Sequence, residues 1–180
     1  MARYIAVLRG INVGGHKKIL MADLKQLLTN RGYADVQTYI QSGNIVFDYQ
    51  QKKSATEIEA DLYQIILDSY GFKVPVIVRS LTELKEILSK NPYEKKAAIE
   101  NLYLCFLQTK PEIKSLEKIK DYRFLPDDFT INDRTIYIYC AGRFSDTKYN
   151  NAFFEKHLKV EASTRNWKTI NKLFDMATKD

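Results

Sequence analysis

The sequence predicts an α+β fold made of two related ferredoxin-like halves, each a split β-α-β arrangement, packed together. Apolar runs of strand length alternate with amphipathic stretches of helix length along the whole chain. The first half follows the order β-α-β-β-α-β, which is the order of a ferredoxin-like unit, and the second half repeats most of it. With 180 residues, 45% of them hydrophobic and 28% charged, the chain has a globular composition.

The elements of the first half follow from hydrophobic periodicity and from turn residues. An apolar run after Met1 and a Gln41-Ser42-Gly43 turn between two β-rich runs indicate strands, and apolar residues at helical spacing indicate helices. Ser80 followed by Glu83 is a capping-box pattern that opens a connecting helix. The predicted elements are a strand over 3–8, a helix over 21–30, strands over 36–40 and 44–47, a helix over 56–70, a strand over 74–78 and a helix over 81–90.

The second half is predicted in the same way, and its order suggests an internal duplication. The predicted elements are a strand over 102–107, a helix over 111–120, strands over 128–131 and 135–140, a helix over 149–158 and a last helix over 164–178. Ser163 or Thr164 is expected to cap that last helix. We therefore divide the chain into a ferredoxin-like subdomain with a connecting helix over 1–90 and a second, degenerate one with a C-terminal helix over 91–180.

Composition limits the class of protein. No stretch approaches the roughly 18 apolar residues that span a bilayer, and the N-terminal strand does not resemble a signal peptide. Cys105 and Cys140 lie in apolar runs and are expected to be buried free thiols, which points to the cytoplasm, most simply of a bacterium. His16 and His157 have no metal-ligand spacing to other residues, so we expect neither a metal nor a cofactor.

The net charge of +6 is concentrated in two segments. Residues 1–22 and 162–174 together hold seven Arg and Lys residues and no acid. If these segments meet, they form a surface that attracts anions, including nucleic acid.

The first motif is the loop Arg9–Lys18, which follows a strand and precedes a helix. Gly14 and Gly15 allow backbone N–H groups to turn toward an anion, and Lys17 adds charge. Gly10 and Gly15 have P-loop spacing, but the Lys-Ser/Thr pair is missing, and the dinucleotide fingerprint is absent. A looser phosphate or carboxylate site and a purely structural loop both remain open.

Two further segments carry polar residues. Gln41, Ser42 and Asn44 lie in the hairpin turn, where turn geometry or a pocket would each explain them; Ser42 lacks the context of a nucleophile. Arg165 and Asn166 are expected in the first turn of the last helix, either on a solvated basic face or as donors to an anion. For Trp167 we favour core packing over ligand stacking.

These segments resemble a known bacterial family. The runs 8–15, 38–44 and 164–167 are similar to the signature of the family catalogued as domain of unknown function 1697, over nearly the whole chain. Thr147-Lys148 departs from the usual Ser-Lys of that family and keeps the lysine. The resemblance implies two related ferredoxin-like halves and no assigned activity. It places motif residues at Arg9, Asn12, Gly14, Gly15, Gln41, Ser42, Asn44, Lys148, Arg165, Asn166 and Trp167.

The leading hypothesis is a cytoplasmic protein that binds an anionic ligand, either a phosphate- or nucleotide-containing molecule or nucleic acid. Two alternatives stay open: an enzyme acting on a phosphorylated or carboxylated small molecule, with His16 as acid or base, and a protein-interaction module. The pattern predicts neither the oligomeric state nor the ligand. The expected ligand-binding residues are Arg9, Asn12, Gly14, Gly15, Lys17, Gln41, Ser42, Asn44, Lys148, Arg165 and Asn166.

Overall fold

The computed structural model describes residues 1–50 and 53–179, and the chain divides into two compact units. Unit 1 comprises Met1–Glu86 and Lys172–Asp180, and unit 2 comprises Ile87–Asn171. The sequence-based division at residue 90 assigns everything after it to the second half. In the structure the chain returns to unit 1 at Lys172, inside the last helix.

Unit 1 contains a four-stranded antiparallel sheet with the strand order β2-β3-β1-β4. Its core lies between one face of this sheet and two helices, where apolar side chains of the central strands meet Leu24, Leu28, Ile58, Leu62 and Ile66. The elements are β1 (Ala2–Leu8), α1 (Met21–Asn30), β2 (Ala34–Tyr39), β3 (Asn44–Tyr49), α2 (Ala55–Tyr70), β4 (Val76–Ser80) and most of α3 (Leu81–Ser89).

Local sequence signals explain the helix ends of unit 1. At the start of α2, Ser54 and Glu57 form a capping box, and α2 ends at Gly71 in the left-handed conformation. At the start of α3, the Ser80 N–H donates to Glu83 (2.8 Å) and the Glu83 N–H donates to Ser80 Oγ (3.1 Å). The predicted capping box at Ser80 is therefore confirmed.

Unit 2 contains a second four-stranded antiparallel sheet, with the order β6-β7-β5-β8. Its core is rich in rings, with Phe129, Tyr149 and Phe154 in mutual edge-to-face or stacked contact. The elements are a short 3₁₀ helix (Ile99–Asn101), β5 (Leu102–Leu107), α4 (Ile113–Ile119), β6 (Asp128–Asn132), β7 (Thr135–Tyr139), α5 (Asn151–Leu158) and β8 (Ala162–Asn166), with α6 (Trp167–Thr178) following.

The predicted helix over 164–178 is wrong at its beginning. Ala162–Asn166 form β8, which pairs antiparallel with the central strand β5, and the helix begins only at Trp167. Neither Ser163 nor Thr164 is the cap, because the Thr169 N–H donates to Asn166 Oδ1 (2.7 Å). With β8 present, the second half carries the same β-α-β-β-α-β order as the first.

The α+β class and the similarity of the two halves are confirmed, with a four-stranded antiparallel sheet in each. Cys105 and Cys140 are buried and form no disulfide within the described residues, as expected, and Trp167 is buried. Within residues 1–50 and 53–179, no helix combines the length and the hydrophobicity needed to cross a bilayer.

Candidate functional site

The glycine loop, residues 9–20, leaves the end of β1 and turns back on itself. The Leu8 N–H donates to Gly43 O (2.8 Å) and the Arg9 N–H donates to Pro75 O (2.9 Å), which anchors the start of the loop. The tip closes with a bond from the His16 N–H to Val13 O (3.0 Å). Gly14 and Gly15 at this tip have φ of 59° and 78°, as a type I′ turn requires, and both are exposed.

Asn12 joins the glycine loop to the neighbouring hairpin turn. Its Oδ1 accepts from the Ile19 N–H (2.9 Å), and its Nδ2 donates to Ile19 O (3.0 Å) and to Gln41 O (2.8 Å). Asn12 itself has φ 55°, a left-handed conformation that asparagine tolerates better than most residues. Both ends of its amide are used internally, so Asn12 positions the loops instead of presenting a donor to a ligand.

The hairpin turn, residues 40–43, is also held from within. The buried Asn44 donates from Nδ2 to Tyr39 O (2.9 Å) and to Ser42 Oγ (3.0 Å). Gly43 has φ 81°, and a Cβ at this position would lie 2.7 Å from Leu8 Cβ. Turn geometry therefore accounts for Ser42, Gly43 and Asn44, whereas the Gln41 side chain is exposed.

The cations of the glycine loop face solvent. Lys17 and Lys18 are exposed, and Arg9 is half-buried. Lys17 Nζ donates to Lys73 O (2.7 Å), which brings the exposed Lys73 into the same group. No acid occurs between residues 9 and 20, so the positive potential of the loop is not neutralised from within its own sequence.

Exposed apolar residues surround the Asn12 junction. Val13 and Leu20 are each 67% exposed and Ile40 is 50% exposed. Each is a chain neighbour of one of the three residues of the junction: Val13 follows Asn12, Leu20 follows Ile19 and Ile40 precedes Gln41. We call the glycine loop, the hairpin turn and Lys73 together the loop surface; it combines exposed cations with exposed apolar side chains.

Two aromatic residues lie close to Lys73 of the loop surface in sequence. Tyr70 and Phe72 are half-buried against the core of unit 1, with ring centroids 6.0 Å apart, and they precede Lys73 in the chain. Burial raises the pKa of the Tyr70 hydroxyl, with Asp23 adding to the shift, so this ring is neutral at physiological pH. Lys73, Tyr70 and Phe72 are not among the site residues predicted from the sequence, because they lie in a segment without a recognisable motif.

The other predicted site residues lie in unit 2. Lys148 is exposed, with Nζ 4.9 Å from the centre of the Phe124 ring. Arg165 lies on β8 and donates to Ser163 Oγ (3.0 Å) and Thr164 O (2.9 Å). The expectation that Arg165 and Asn166 lie in the first helical turn is wrong, because Arg165 belongs to a strand and Asn166 caps α6.

The structure thus brings together eight predicted residues of unit 1, in two adjoining loops and at the first residue of β3: Arg9, Asn12, Gly14, Gly15, Lys17, Gln41, Ser42 and Asn44. Lys148, Arg165 and Asn166 lie in separate segments of unit 2. A common site formed by the two sets stays a prediction. In the described part of the chain, no three His, Cys, Asp or Glu side chains are placed to hold a metal ion.

The two histidines have different surroundings. His16 is exposed at the tip of the glycine loop. His157 packs against the rings of Tyr122 and Phe153, with centroid distances of 4.3 and 4.6 Å, and burial lowers its pKa. His157 is therefore part of the aromatic core of unit 2.

Comparisons with known proteins identify a family and a solved structure with a similar fold. Residues 1–137 match the model of a family described as "Protein of unknown function (DUF1697)". The conserved bacterial protein SP0830 from Streptococcus pneumoniae has a similar structure, with a TM-score of 0.78 and 25% sequence identity over 98% of this chain and 99% of that chain. A search of curated proteins gives no match.

Proposed function

Because the chain belongs to the DUF1697 family, whose description carries no activity, we propose a function from the properties of the loop surface. The loop surface binds a phosphate-containing anion, and single-stranded nucleic acid is the anion that fits it best. The observation that carries this proposal is the Asn12 junction. Its two hydrogen bonds with Ile19 close the glycine loop, and its bond to Gln41 O joins that loop to the hairpin turn, so that cations and apolar side chains share one surface.

The charge of the surface supports a phosphate ligand. Arg9, Lys17, Lys18 and Lys73 supply four cations, and the hydrogen bond from Lys17 to Lys73 O keeps two of these segments in contact. Phosphate groups along a strand meet such a row of cations in succession, and the displacement of counterions makes this binding strong at low salt.

The exposure of the surface supports an extended ligand over an enclosed one. Gly14, Gly15, Lys17 and Lys18 are all exposed, and a strand can lie along them without entering a cavity. Exposed Val13, Leu20 and Ile40 offer apolar contact to bases, and the half-buried rings of Tyr70 and Phe72 offer faces for stacking. Unstacked bases are available in single strands, which is why we prefer them to a duplex.

The residues of the site then divide into two roles. Arg9, Lys17, Lys18 and Gln41 contact the ligand, and backbone N–H groups at Gly14 and Gly15 add neutral donors. Asn12, Ser42 and Asn44 position the two loops. Lys148, Arg165 and Asn166 stay candidate ligand residues of unit 2. The exposed position of His16 at the loop tip offers no enclosed site for an acid or base, so binding has more structural support than catalysis.

The origin of the fold and the cellular compartment of the protein can be proposed on similar grounds. The strand orders β2-β3-β1-β4 and β6-β7-β5-β8 correspond position for position, which supports two ferredoxin-like units derived by internal duplication. Within the described residues the buried Cys105 and Cys140 form no disulfide, which supports a reducing compartment, and we propose the bacterial cytoplasm.

The test is fluorescence anisotropy with a labelled oligothymidylate of about 15 nucleotides, the upper range of a single-strand site. The variant Lys17→Glu with Lys18→Glu is compared with the matched control Lys25→Glu with Lys85→Glu, which changes net charge equally at exposed lysines of α1 and α3. We expect the first variant to weaken binding by about tenfold or more and to flatten its salt dependence, since each lost phosphate contact removes about 0.7 from the logarithmic slope.

The control should bind nearly as tightly as the native protein. Equal weakening in both variants would mean that net charge alone drives binding, and the assignment to the loop surface would fail. Tighter binding of a duplex than of the single strand would contradict the preference for unstacked bases. A separate Lys148→Ala variant measures what unit 2 contributes.

A further inference from the structure

Unit 2 contains a groove, independent of the loop surface, between α4 and the edge strand β6. Its volume is about 600 Å³, which lies in the range of ligand sites. Five consecutive residues, Phe129 to Asp133, line it. Successive side chains of a strand point to opposite faces of a sheet. Side chains of one face alone would supply only every second residue to the wall. Because five consecutive residues line it, the wall is the edge of the strand, and the backbone groups of that edge face the groove.

The hydrogen-bond pattern identifies which backbone groups face the groove. In an antiparallel pair, residues alternate between those bonded to the neighbouring strand and those whose groups point outward. The Phe129 N–H donates to Asp128 Oδ1 (2.9 Å), which marks Phe129 as an outward residue. Ile131, two residues further on, is then outward as well. Since β6 is the last strand in its sheet order, the outward carbonyl of Phe129 and the outward N–H and carbonyl of Ile131 face the open edge of the sheet, where an added strand can pair with them.

The floor of the groove is apolar and firmly held. Leu116, Phe129 and Ile131 line it and are half-buried. The Phe129 ring packs against Tyr149 at 4.8 Å and Phe154 at 5.5 Å, both edge to face, so its position is fixed by the core of unit 2. Such a floor accepts alternate apolar side chains of an extended segment.

The rim of the groove is positive. Lys110, Lys120 and Arg123 line it and are exposed, against the single lining acid Asp133, which lies 3.3 Å from Lys110. Arg123 lies 3.9 Å from Asp128. Within the described part of the chain, Lys120 makes no ion pair. The rim therefore complements a segment that carries carboxylates.

From these three features we propose that the groove binds an acidic peptide segment in extended conformation, which adds as a strand to β6. Its backbone pairs with the outward carbonyl of Phe129 and with the outward N–H and carbonyl of Ile131. Its apolar side chains rest on Leu116 and Phe129, and its carboxylates meet Lys120 and Arg123. Recognition by strand addition combines main-chain hydrogen bonds with pockets for alternate side chains, and this groove supplies both.

The experiment uses the full chain and three labelled heptapeptides. The first is Glu-Val-Glu-Val-Glu-Val-Glu, the second has the same sequence with alternate amides N-methylated, and the third has lysine in place of glutamate. Fluorescence polarisation measures affinity, and amide chemical shifts in ¹⁵N-labelled protein locate the site. We expect binding of the first peptide only, with the largest shifts over residues 129–133.

A matched pair of variants tests the rim. Lys120→Glu should weaken binding of the acidic peptide by about fivefold or more, as expected for an exposed ion pair replaced by repulsion. Lys114→Glu, exposed on α4 outside the groove, should leave it unchanged. Both sites are on the surface, so neither variant should unfold the protein.

Several outcomes would overturn the proposal. Equal binding of the N-methylated peptide would exclude strand addition, because charge and side chains are preserved in it. Binding of the lysine peptide, displacement of the acidic peptide by the oligothymidylate, or shifts away from β6 would each assign the groove to another occupant. Self-association that protects residues 129–133 without peptide would assign it to a second copy of this chain.

Discussion

Asn12 determines the shape of the loop surface through a single amide group. Its side chain satisfies both backbone groups of Ile19 and the carbonyl of Gln41, while its own backbone adopts φ 55°. A sequence motif identifies Asn12 as important but does not give its role. The structure favours a positioning role, since the amide has its hydrogen bonds within the protein.

Two substitutions at Asn12 separate its side-chain and backbone contributions. Asn12→Ala should lower the free energy of unfolding by about 2–4 kcal/mol, from lost hydrogen bonds to partly buried groups and from a Cβ residue at positive φ. Asn12→Gly removes the same side chain without that backbone strain, so it should be about 1 kcal/mol less destabilising. Urea unfolding measures both. An alanine variant as stable as the native protein would show that water replaces the hydrogen bonds of the Asn12 side chain.

At the scale of elements, the boundary between β8 and α6 shows where sequence reasoning fails. Most strands and helices follow from apolar periodicity, because periodicity records which side of an element is buried. The segment Ala162–Asn166 is polar and precedes an amphipathic run, so it resembles a helix start. Its strand conformation comes from pairing with β5, a tertiary effect that outweighs local preference.

The sequence predicts the loops of the candidate site, but not the contacts within them. Glycines and turn residues mark the loops at 9–18 and 41–44, and the structure places these loops together. The direction of each hydrogen bond was not predictable, because Asn12 and Asn44 find partners that only the folded chain brings near. Exposed Val13, Leu20 and Ile40 carry no periodic signal, and their exposure follows from the fold alone.

The cap of α6 gives a test at this scale. Asn166→Ala should lower the free energy of unfolding by about 1 kcal/mol, because the Thr169 N–H loses its acceptor. Asn166→Asp keeps an acceptor oxygen and should remain close to the native stability. Lys168→Ala, at an exposed neighbouring position, is the control for the loss of a surface side chain. Thermal or urea unfolding measures the three variants, and equal stability of Ala and Asp at residue 166 would contradict the cap.

At the scale of the molecule, Arg3 connects distant parts of unit 1. Its guanidinium lies 2.5 Å from Asp35 on β2 and 3.1 Å from Asp48 on β3, and it donates to Met176 O on α6 (3.2 Å). The hydrogen bond from Arg3 holds the pKa of Asp35 below its usual range. One residue of the first strand thus links two other strands with the final helix.

This arrangement predicts a dependence of stability on pH. The pKa of Asp35 is lower in the folded protein than in the unfolded chain. Its ionised carboxylate therefore stabilises the folded protein at pH values above the unfolded pKa of about 4, and this stabilisation is lost as the pH falls through the folded pKa. The free energy of unfolding should therefore drop as the pH falls below about 4, and the drop should be smaller in Asp35→Asn. Asp121→Asn, exposed in unit 2, controls for the removal of one acid. Identical pH profiles for Asp35→Asn and the native protein would contradict the link.

The return of the chain to unit 1 at Lys172 has a consequence for biosynthesis. The ribosome synthesises β1 long before it synthesises α6. Arg3 on β1 therefore cannot donate to Met176 O until α6 has been made. All of unit 2 is translated in between. Residues 1–86 of unit 1 therefore leave the ribosome before the last segment of that unit exists. Unit 1 can complete its native contacts only after the intervening 85 residues, Ile87–Asn171, have been added.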